Sequence, residues 1–469
     1  MDQRINTTQD IVELTDTIAA ISTASGEGGI GIIRLSGPAA LAIAQEIFRR
    51  NHGERLENPE PYRLYYGYVH HPNSGEVIDE VLLSYMKSPH SYTCEDVVEI
   101  SGHGGAVPLH AILTILCQQG ARLARPGEFT ERAFLNGRID LTQAEAVLDT
   151  IRARTDAGLR AAQHCLRGDI AKQISTLRQR LVALLSSLEA AIDYADEDIT
   201  FLSTDQIHAE LEALCAEINM LIASHSQGKL LREGAQTVII GRPNTGKSSL
   251  LNILLGEERA IVTDIPGTTR DVIEEYIDFG GVPLRLIDTA GIRRTDDKVE
   301  RIGVQRSRQA LAQADLILLV IDRSTPLASD DVELLLETQN QSAIVVLNKA
   351  DLVSALTPDA ICEYTLAPTV EISTLTREGI TQLEDTMREL LFGNTIAEST
   401  VLANTRQKDA AERAYSSLNQ AVETLNSGGS EELIAVDVMA AATSLGEITG
   451  DNIREEVIQD LFSRFCVGK

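Results

Sequence analysis

The sequence has no excess of positive charge. Its 469 residues include 41 lysines and arginines against 69 aspartates and glutamates, which gives a formal net charge of -28 and an isoelectric point of about 4.7. A protein that binds nucleic acid through a broad basic face carries the opposite balance. The composition therefore argues against such a face, and it leaves open a local basic patch or a basic partner protein.

The sequence also lacks a paired-cysteine motif and a long apolar run. No C-x-x-C occurs, so neither a zinc knuckle nor a disulfide framework is indicated, and reduced thiols in a cytoplasmic protein fit best. No apolar run reaches the roughly 18 residues that a membrane span needs. The N-terminal stretch MDQRINTTQDIVELTDT is polar, so we expect no signal peptide. The cysteines are Cys94, Cys117, Cys165, Cys215, Cys362 and Cys466.

The chain is long for one domain, and its patterns divide it into several. Residues 18–120 combine short β-rich runs with helical patterns, which indicates a mixed α/β domain. Residues 174–192 and 411–425 each place apolar residues on one helical stripe, and a β/α alternation at 236–392 separates them. Each stripe needs an apolar partner, so we predict one helical domain with an α/β domain inserted into it.

The predicted domains are 1–137 (α/β), 138–228 (helical, first part), 229–396 (inserted α/β) and 397–469 (helical, second part). The β-rich runs of the first domain are Ile30–Leu35, Leu64–Val69, Val81–Met86 and Val97–Ile100. Near the C-terminus, a further helical face combines Val457, Ile458, Leu461 and Phe465. The fold class is therefore multidomain, with α/β and all-α parts.

A glycine-rich loop follows the β-run TVII. The stretch GRPNTGKSS fits G-x-x-x-x-G-K-S, beginning at Gly241. Backbone N–H groups of such a loop hold phosphates at a helix N-terminus, the lysine neutralises the β- and γ-phosphate oxygens, and the serine hydroxyl binds Mg²⁺. Taken alone, the stretch has a glycine-rich turn as its alternative. The predicted GTP-binding residues here are Asn244, Thr245, Gly246, Lys247 (also catalytic), Ser248 (also a Mg²⁺ ligand) and Ser249.

Two switch motifs follow in the expected order. The segment TDIPGTTR contains Thr269, a predicted contact of both Mg²⁺ and the γ-phosphate. The β-run LRLID ends at Asp288, which begins D-x-x-G and would hold Mg²⁺ through water, while the N–H of Gly291 senses the γ-phosphate. The predicted GTP-binding residues of these motifs are Thr263, Asp264, Ile265, Pro266, Gly267, Thr268, Thr269, Asp288, Thr289, Ala290 and Gly291.

A fourth motif would recognise the base. VVLNKAD supplies N-K-x-D, in which Asp351 accepts hydrogen bonds from guanine N1–H and the exocyclic amine, two donors that adenine lacks. The stretch EISTLTREG then provides backbone N–H groups for guanine O6. Four motifs in this order predict a GTP site. The residues assigned to base recognition are Asn348, Lys349, Ala350, Asp351, Ser373, Thr374 and Leu375.

Three further stretches indicate which class of GTPase the chain resembles. They are GIGIIRLSG near the N-terminus, RPGEFTERAFLNGRIDLTQAEAV at 125–147 and FCVGK at the end. With them the chain resembles, over essentially its whole length, the MnmE (TrmE) family of tRNA wobble-uridine modification GTPases. Ribosome-assembly GTPases share the G-domain motifs but not these flanks.

The resemblance implies a fold, partners and cofactors. The N-terminal domain would be like the folate-binding domain of aminomethyltransferases, would bind a tetrahydrofolate derivative and would build a homodimer. A flavoprotein partner, MnmG (GidA), would carry FAD and join it in a heterotetramer. Together they would add a carboxymethylaminomethyl or aminomethyl group at C5 of the wobble uridine of certain tRNAs, in the cytoplasm and without a membrane.

The family's folate contacts match four positions, and its proposed nucleophile or base matches a fifth. The folate contacts would be Arg34, Glu99, Arg138 and the terminal Lys469. For Arg34 and Glu99 the alternative is an ion pair at a strand end, and for Arg138 it is a solvated loop charge. Cys466 lies near a terminus that we expect to be flexible, so it could reach another site; its alternative is a plain exposed thiol.

The hydrolysis machinery departs from that of Ras-like GTPases. Ile292 follows D-T-A-G, where a glutamine usually positions the attacking water, and an isoleucine cannot. The resemblance implies two replacements. A K⁺ ion would be bound by Asn244 and by backbone carbonyls of Thr263, Ile265 and Thr268. Glu300 would orient the water through a second water; its alternative is a solvated charge. Arg270 is more plausibly structural than an arginine finger.

The sequence leaves three alternative hypotheses for the function. The first is a K⁺-stimulated GTPase that drives tRNA modification. The second is a ribosome-assembly GTPase switch with helical adaptors. The third is a folate-dependent one-carbon transferase with a regulatory G domain. The terminal CVGK and the N-terminal α/β domain favour the first.

Overall fold

A computed structural model describes residues 16–24, 26–193, 202–259, 274–279, 282–288, 311, 313–392, 402–451 and 453–469. The strands are β1 (Ile18–Ile21), β2 (Gly28–Ser36), β3 (Phe48–Arg50), β4 (Leu64–His70), β5 (Val77–Met86), β6 (Val97–Gly104), β7 (Arg122–Leu123), β8 (Ala235–Ile240), β9 (Glu274–Phe279), β10 (Val282–Asp288), β11 (Leu316–Asp322), β12 (Ala343–Asn348) and β13 (Thr369–Glu371).

The helices are α1 (Ala40–Ile47), α2 (Ala106–Gln118), α3 (Glu128–Leu135), α4 (Leu141–Arg152), α5 (Asp156–Leu166), α6 (Asp169–Asp193), α7 (Thr204–Glu233), α8 (Lys247–Arg259), α9 (Ser329–Glu337), α10 (Pro358–Cys362), α11 (Ile380–Phe392), α12 (Thr405–Asn426), α13 (Glu431–Thr449) and α14 (Glu455–Ser463). The chain divides into two compact units: one contains residues 1–148 and 446–469, and the other contains residues 149–445.

The first unit is built on a seven-stranded sheet. Its strand order is β3-β4-β5-β6-β2-β1-β7, with antiparallel pairing except between β1 and β7. Helices α1 and α2 share one apolar core with this sheet. The four predicted β-rich runs all lie within strands, so the α/β prediction for this region is confirmed.

A buried cluster of charges joins the start of this sheet to α3. Glu128 is 2% exposed and accepts hydrogen bonds from Arg122 Nη2 at 2.6 Å and from the backbone N–H of Arg125 at 2.7 Å. Arg132 donates to Glu128 and to Asp16. Burial raises the pKa of Glu128, but these hydrogen bonds and charges outweigh it and hold the pKa below its ordinary value.

The last helix, α14, packs within the first unit. Phe462 and Phe465 form a cluster with Ala144 and Leu148 of α4, and the Phe462 and Phe465 rings are 5.4 Å apart. The sequence-based face named Phe465 and missed Phe462, which is 2% exposed. Val457, assigned to the same face, is instead 37% exposed. The helix ends at Ser463, so Phe465 reaches the cluster from beyond the helix.

The second unit combines long helices with a second sheet. The predicted apolar stripes fall in α6 and α12, and their buried members include Leu181 and Leu418, which confirms the helical prediction. α7 packs against α12 and runs to Glu233. The predicted boundary between 228 and 229 therefore falls inside a helix, and β8 begins two residues after that helix ends. The domain boundaries themselves stay predictions.

The second sheet has the order β13-β12-β11-β8-β10-β9, and all neighbours are parallel except β10 and β9. All seven residues of β11 are buried, as expected for a parallel strand covered on both faces. Leu250 of α8 and Leu383 of α11 belong to the core on one face, and Leu335 of α9 belongs to the core on the other. This alternation of strands and helices confirms the inserted α/β domain. In the described part of the chain, no helix is both long and apolar enough to cross a membrane.

Candidate functional site

The glycine-rich loop lies between β8 and α8 and has the backbone shape that a phosphate cradle needs. Gly241 and Gly246 have φ of 144° and 99°, and Asn244 has φ of 64°. A Cβ on Gly241 would overlap the Val320 carbonyl, and a Cβ on Gly246 would overlap the Asn348 amide. Only glycine fits at these two positions. The loop is therefore held close to β11 and β12, at the N-terminus of α8, where phosphate is favoured.

Side chains of the loop and of α9 fix its first turn. Lys247 Nζ and Thr245 Oγ1 donate to the Arg242 carbonyl at 2.6 Å and 3.0 Å. The Arg242 guanidinium lies 2.9 Å from the carboxylate of Asp331, a fully buried residue of α9. Lys247 is thus directed across the loop, the position from which an ammonium group can reach bound phosphate.

The base loop is tied to the phosphate loop by Asn348, which is fully buried. Its Nδ2 donates to the Thr245 carbonyl at 2.8 Å, and its Oδ1 accepts from the Thr374 N–H at 3.1 Å. One amide therefore links three segments that the sequence assigned to GTP.

Asp351, the predicted guanine reader, is oriented by a serine. Ser373 Oγ donates to Asp351 Oδ1 at 2.6 Å and accepts from the N–H groups of Leu375 and Thr376 at 3.3 Å and 3.1 Å. The Ala350 N–H donates to the Ile372 carbonyl at 3.0 Å. Asp351 is exposed, so its carboxylate is available to a ligand. Hydrogen bonds thus join several residues that the motifs assigned to GTP: Thr245, Asn348, Asp351, Ser373 and Thr374.

Two of the residues that the sequence assigned to Mg²⁺ lie in the described part of the chain. Ser248 is exposed in the first turn of α8. Asp288 ends β10 and pairs in register with Ile239 of β8, two residues before the glycine-rich loop begins. The pairing of β10 with β8 thus brings the Asp288 backbone to the strand end that leads into the loop, and the Mg²⁺ contacts of Ser248 and Asp288 stay predictions.

Several predicted residues lie outside the described residues. These are Thr263, Asp264, Ile265, Pro266, Gly267, Thr268, Thr269, Thr289, Ala290, Gly291 and Glu300, together with Arg270 and Ile292. Their roles stay predictions.

A second cluster forms around Tyr92 in the first unit. Arg34 of β2 faces Glu99 of β6 in register, and their side chains form an ion pair at 2.8 Å. The Arg34 guanidinium lies 5.4 Å from the centre of the Tyr92 ring, and that of Arg138 lies 4.8 Å from it. Arg138 also donates to the Tyr92 carbonyl at 2.8 Å. Tyr92 was missed from the sequence because an isolated loop aromatic belongs to no motif or periodic pattern.

The C-terminal tail is attached to this cluster. Arg34 Nη1 donates to the Gly468 carbonyl at 3.4 Å, and the Gly127 N–H donates to the Cys466 carbonyl at 3.3 Å. Val467 forms a β-bridge with Pro126. The expectation of a flexible terminus is therefore wrong, because these backbone contacts hold the tail. Cys466 itself is exposed.

Comparison with known proteins decides the family. A family model described as the MnmE helical domain matches residues 141–466, and one described as the GTP-binding protein TrmE N-terminus matches residues 17–138. The chain belongs to the MnmE family. The tRNA modification GTPase MnmE of Natranaerobius thermophilus is 47% identical over 457 residues, which cover 97% of this chain and 99% of the relative. That of Enterococcus faecalis is 48% identical over 458 residues, covering 97% and 98%.

Solved structures resemble the chain in part. The G domain of the T. maritima FeoB iron transporter is 28% identical, with a TM-score of 0.26, and covers 33% of this chain and 96% of that chain. Era of Aquifex aeolicus, bound to GDP and AlF4-, is 26% identical, with a TM-score of 0.27, and covers 39% and 65%. As a member of the MnmE family, the chain is a GTPase whose substrate is GTP.

Proposed function

We propose that this GTPase uses GTP hydrolysis to drive the addition of a carboxymethylaminomethyl or aminomethyl group to C5 of the wobble uridine of certain tRNAs. The observation that carries the proposal is the identity of 47% to a tRNA modification GTPase across 97% of the chain. The contact of the FCVGK tail with Arg34 supports it, because it brings the tail to a side chain that the resemblance assigns to the folate site. The flavoprotein MnmG would supply FAD, and the chain would act in the cytoplasm as part of a heterotetramer.

Hydrolysis would begin with the residues of the phosphate loop. Its backbone N–H groups and Lys247 hold the phosphates, and Asp351 accepts from the guanine edge. Ser248 and Thr269 would bind Mg²⁺ directly, and Asp288 would hold it through water. When bound, the metal ion neutralises charge that develops on the phosphate oxygens.

A K⁺ ion would take the place of an arginine finger, which is worth ~10³–10⁵ in rate. Asn244 is exposed in the phosphate loop with φ of 64°, and its side-chain oxygen suits a monovalent cation. Backbone carbonyls of Thr263, Ile265 and Thr268 would complete the set. Glu300 would orient the attacking water, because Ile292 has no polar atom for that task.

The cluster around Tyr92 would bind a tetrahydrofolate derivative through Arg34, Glu99, Arg138 and Lys469. The two guanidinium groups and the aromatic ring can contact a flat ring system and a carboxylate. Ser22 Oγ is buried without a hydrogen-bond partner, and a Cβ on Gly468 would lie 2.9 Å from the Ser22 Cα. An unsatisfied hydroxyl beside the tail fits a site that takes a polar ligand.

The N-terminal sheet would build the homodimer. Leu64, Tyr66 and Leu82 lie on its outer face, with 69%, 43% and 40% of their surfaces exposed, and Tyr66 and Leu82 are in register on adjacent strands. An exposed apolar patch of this kind marks an interaction surface.

The decisive experiment complements a strain that lacks the gene and measures its modified wobble uridines by mass spectrometry. Wild-type protein should restore them, and Glu300→Ala, expected to bind GTP normally but turn over slowly, should not. GTP turnover should be faster in K⁺ than in Na⁺ at equal ionic strength, and Asn244→Ala should remove the difference. Normal modification in the deletion strain, with ribosomal subunits accumulating instead, would favour the ribosome-assembly role. Equal rates in the two salts would refute the K⁺ site.

A further inference from the structure

The base loop has a second support outside the recognised motifs. Asp322 ends β11 and pairs in register with Asn348 at the end of β12. Lys349 follows with φ of 69°, a left-handed conformation that is uncommon for a lysine and needs support from its surroundings. Its Nζ donates to Asp322 Oδ2 at 2.5 Å. A carboxylate at the end of one strand therefore holds the lysine that follows the next strand.

This carboxylate is itself fixed in place. Ser324 donates to Asp322 Oδ1 from its backbone N–H at 2.9 Å and from its Oγ at 2.6 Å, which leaves Oδ2 to the lysine. Asp322 is 8% exposed. Burial raises its pKa, but the hydrogen bonds from Lys349 and Ser324 outweigh burial and hold the pKa below the ordinary value. Asp322 therefore carries its charge at neutral pH, and its Oδ2 accepts from Lys349 Nζ.

Lys349 and Asp351 are oriented by different partners. Asp351 is held by Ser373 Oγ at 2.6 Å, whereas Lys349 is held by Asp322. A lysine stem has four flexible bonds, and ordering it against a ligand costs rotamer freedom. A lysine that is already ordered binds without that cost.

We propose that Asp322 is a positioning residue for guanine nucleotides: it orders Lys349 before the nucleotide arrives and so raises affinity for the base without touching the nucleotide. The inference rests on the guanine site described above. It requires that removal of the Asp322 carboxylate weaken nucleotide binding by the same factor whichever base Asp351 recognises. It also requires that hydrolysis at saturating GTP be unaffected, because Lys349 is assigned to the base and not to the reacting phosphate.

The test measures the dissociation constant of a fluorescent GDP analogue in the full-length protein. Asp322→Asn keeps an acceptor for Ser324 but removes the charge, and Lys349→Met keeps the stem but removes the ammonium group. Each should weaken binding about tenfold, which corresponds to about 1.4 kcal/mol. The double variant should be no weaker than either single variant, because both remove the same interaction. The kcat of Asp322→Asn at saturating GTP should stay within about twofold of wild type.

The matched control is Asp315→Asn. Asp315 precedes the same strand at its opposite end and accepts from the Gln236 N–H at 2.8 Å, so the control makes the same charge change far from the base loop. Its GDP affinity should equal that of wild type. In an Asp351→Asn background, Asp322→Asn should weaken binding of xanthosine diphosphate by the same factor as it weakens GDP binding to the parent protein.

Four results would overturn the inference. They are unchanged GDP affinity in Asp322→Asn, additive losses in the double variant, an equal loss in the Asp315→Asn control, and a fall in kcat without a change in affinity. A wild-type protein that bound no GDP would instead overturn the guanine site itself, and this inference with it.

Discussion

Gly468→Ala should release the C-terminal tail while leaving the rest of the fold intact. Gly468 has φ of 94°, a conformation that L-residues rarely adopt. A Cβ there would overlap the Ile21 carbonyl and would lie 2.9 Å from the Ser22 Cα. Both neighbours are backbone atoms at the end of β1, so they cannot move aside as a flexible side chain would. The added methyl group therefore opposes docking twice, through backbone strain and through overlap.

The size of the effect follows from what holds the tail. Its hydrogen bonds to Gly127 and Arg34 are long, at 3.3 Å and 3.4 Å, and such bonds contribute about 0.5–1.5 kcal/mol each. A left-handed conformation alone costs a residue with a Cβ about 1–2 kcal/mol, and the overlap adds to this. The tail should therefore detach. Global stability should fall by no more than the docking contribution of about 1–3 kcal/mol, because Phe465 stays in its cluster.

The assay compares three readouts of one preparation. Urea unfolding should show a small shift, K⁺-dependent GTP turnover should be near wild type, and wobble-uridine modification should fall by at least about tenfold, since the tail groups lose their position. The control is Gly120→Ala in the same unit, where φ is 109° and a Cβ would meet no atom within 4 Å. Normal modification by Gly468→Ala would refute the role of the docked tail. Loss of GTP turnover would show that the tail supports the fold.

Two other outcomes are expected. Asp351→Asn should lose GTP binding and accept xanthosine triphosphate, because a site built on hydrogen bonds rejects the wrong edge strongly; a titration showing unchanged GTP affinity would contradict the assignment. Glu128→Gln should lower stability at neutral pH by about 3 kcal/mol, as expected when a buried charge pair is broken. The pKa of Glu128 is depressed in the folded state, so its contribution is present above the ordinary glutamate pKa of about 4.3 and is lost as pH falls through the folded value. The variant's urea midpoint should therefore depend less on pH below about 4.3 than that of wild type; parallel pH curves would count against the buried pair.

Local patterns predicted much of the fold and of the nucleotide site. The phosphate loop is specified within one short segment, because its glycines and lysine act through the backbone of that same segment. The buried stripe of α6 follows from helical spacing in the same way. The N-K-x-D motif likewise predicted that Asn348 braces the loop, and in the structure its side-chain amide joins Thr245 to Thr374.

Contacts between distant segments could not be predicted in that way. Arg34 and Gly468 are 434 positions apart, and no spacing rule connects them. Tyr92 belongs to the second cluster because the guanidinium groups of Arg34 and Arg138 both approach its ring. The pairing of Lys349 with Asp322 could not be predicted either. An aspartate at the end of a strand is common, and its partner depends on the strand order.

The two candidate sites are supported by different parts of the chain, which gives their variants opposite signatures. Asp322 and Lys349 lie in the unit of residues 149–445, and every contact that holds them comes from that unit. Gly468 and Arg34 lie in the unit of residues 1–148 and 446–469, as do the contacts of the tail. The described contacts of each site all come from its own unit. A variant at one site should therefore leave the local geometry of the other unchanged. Loss of tRNA modification with normal nucleotide affinity would therefore point to the tail, and weakened affinity with normal kcat would point to the base loop.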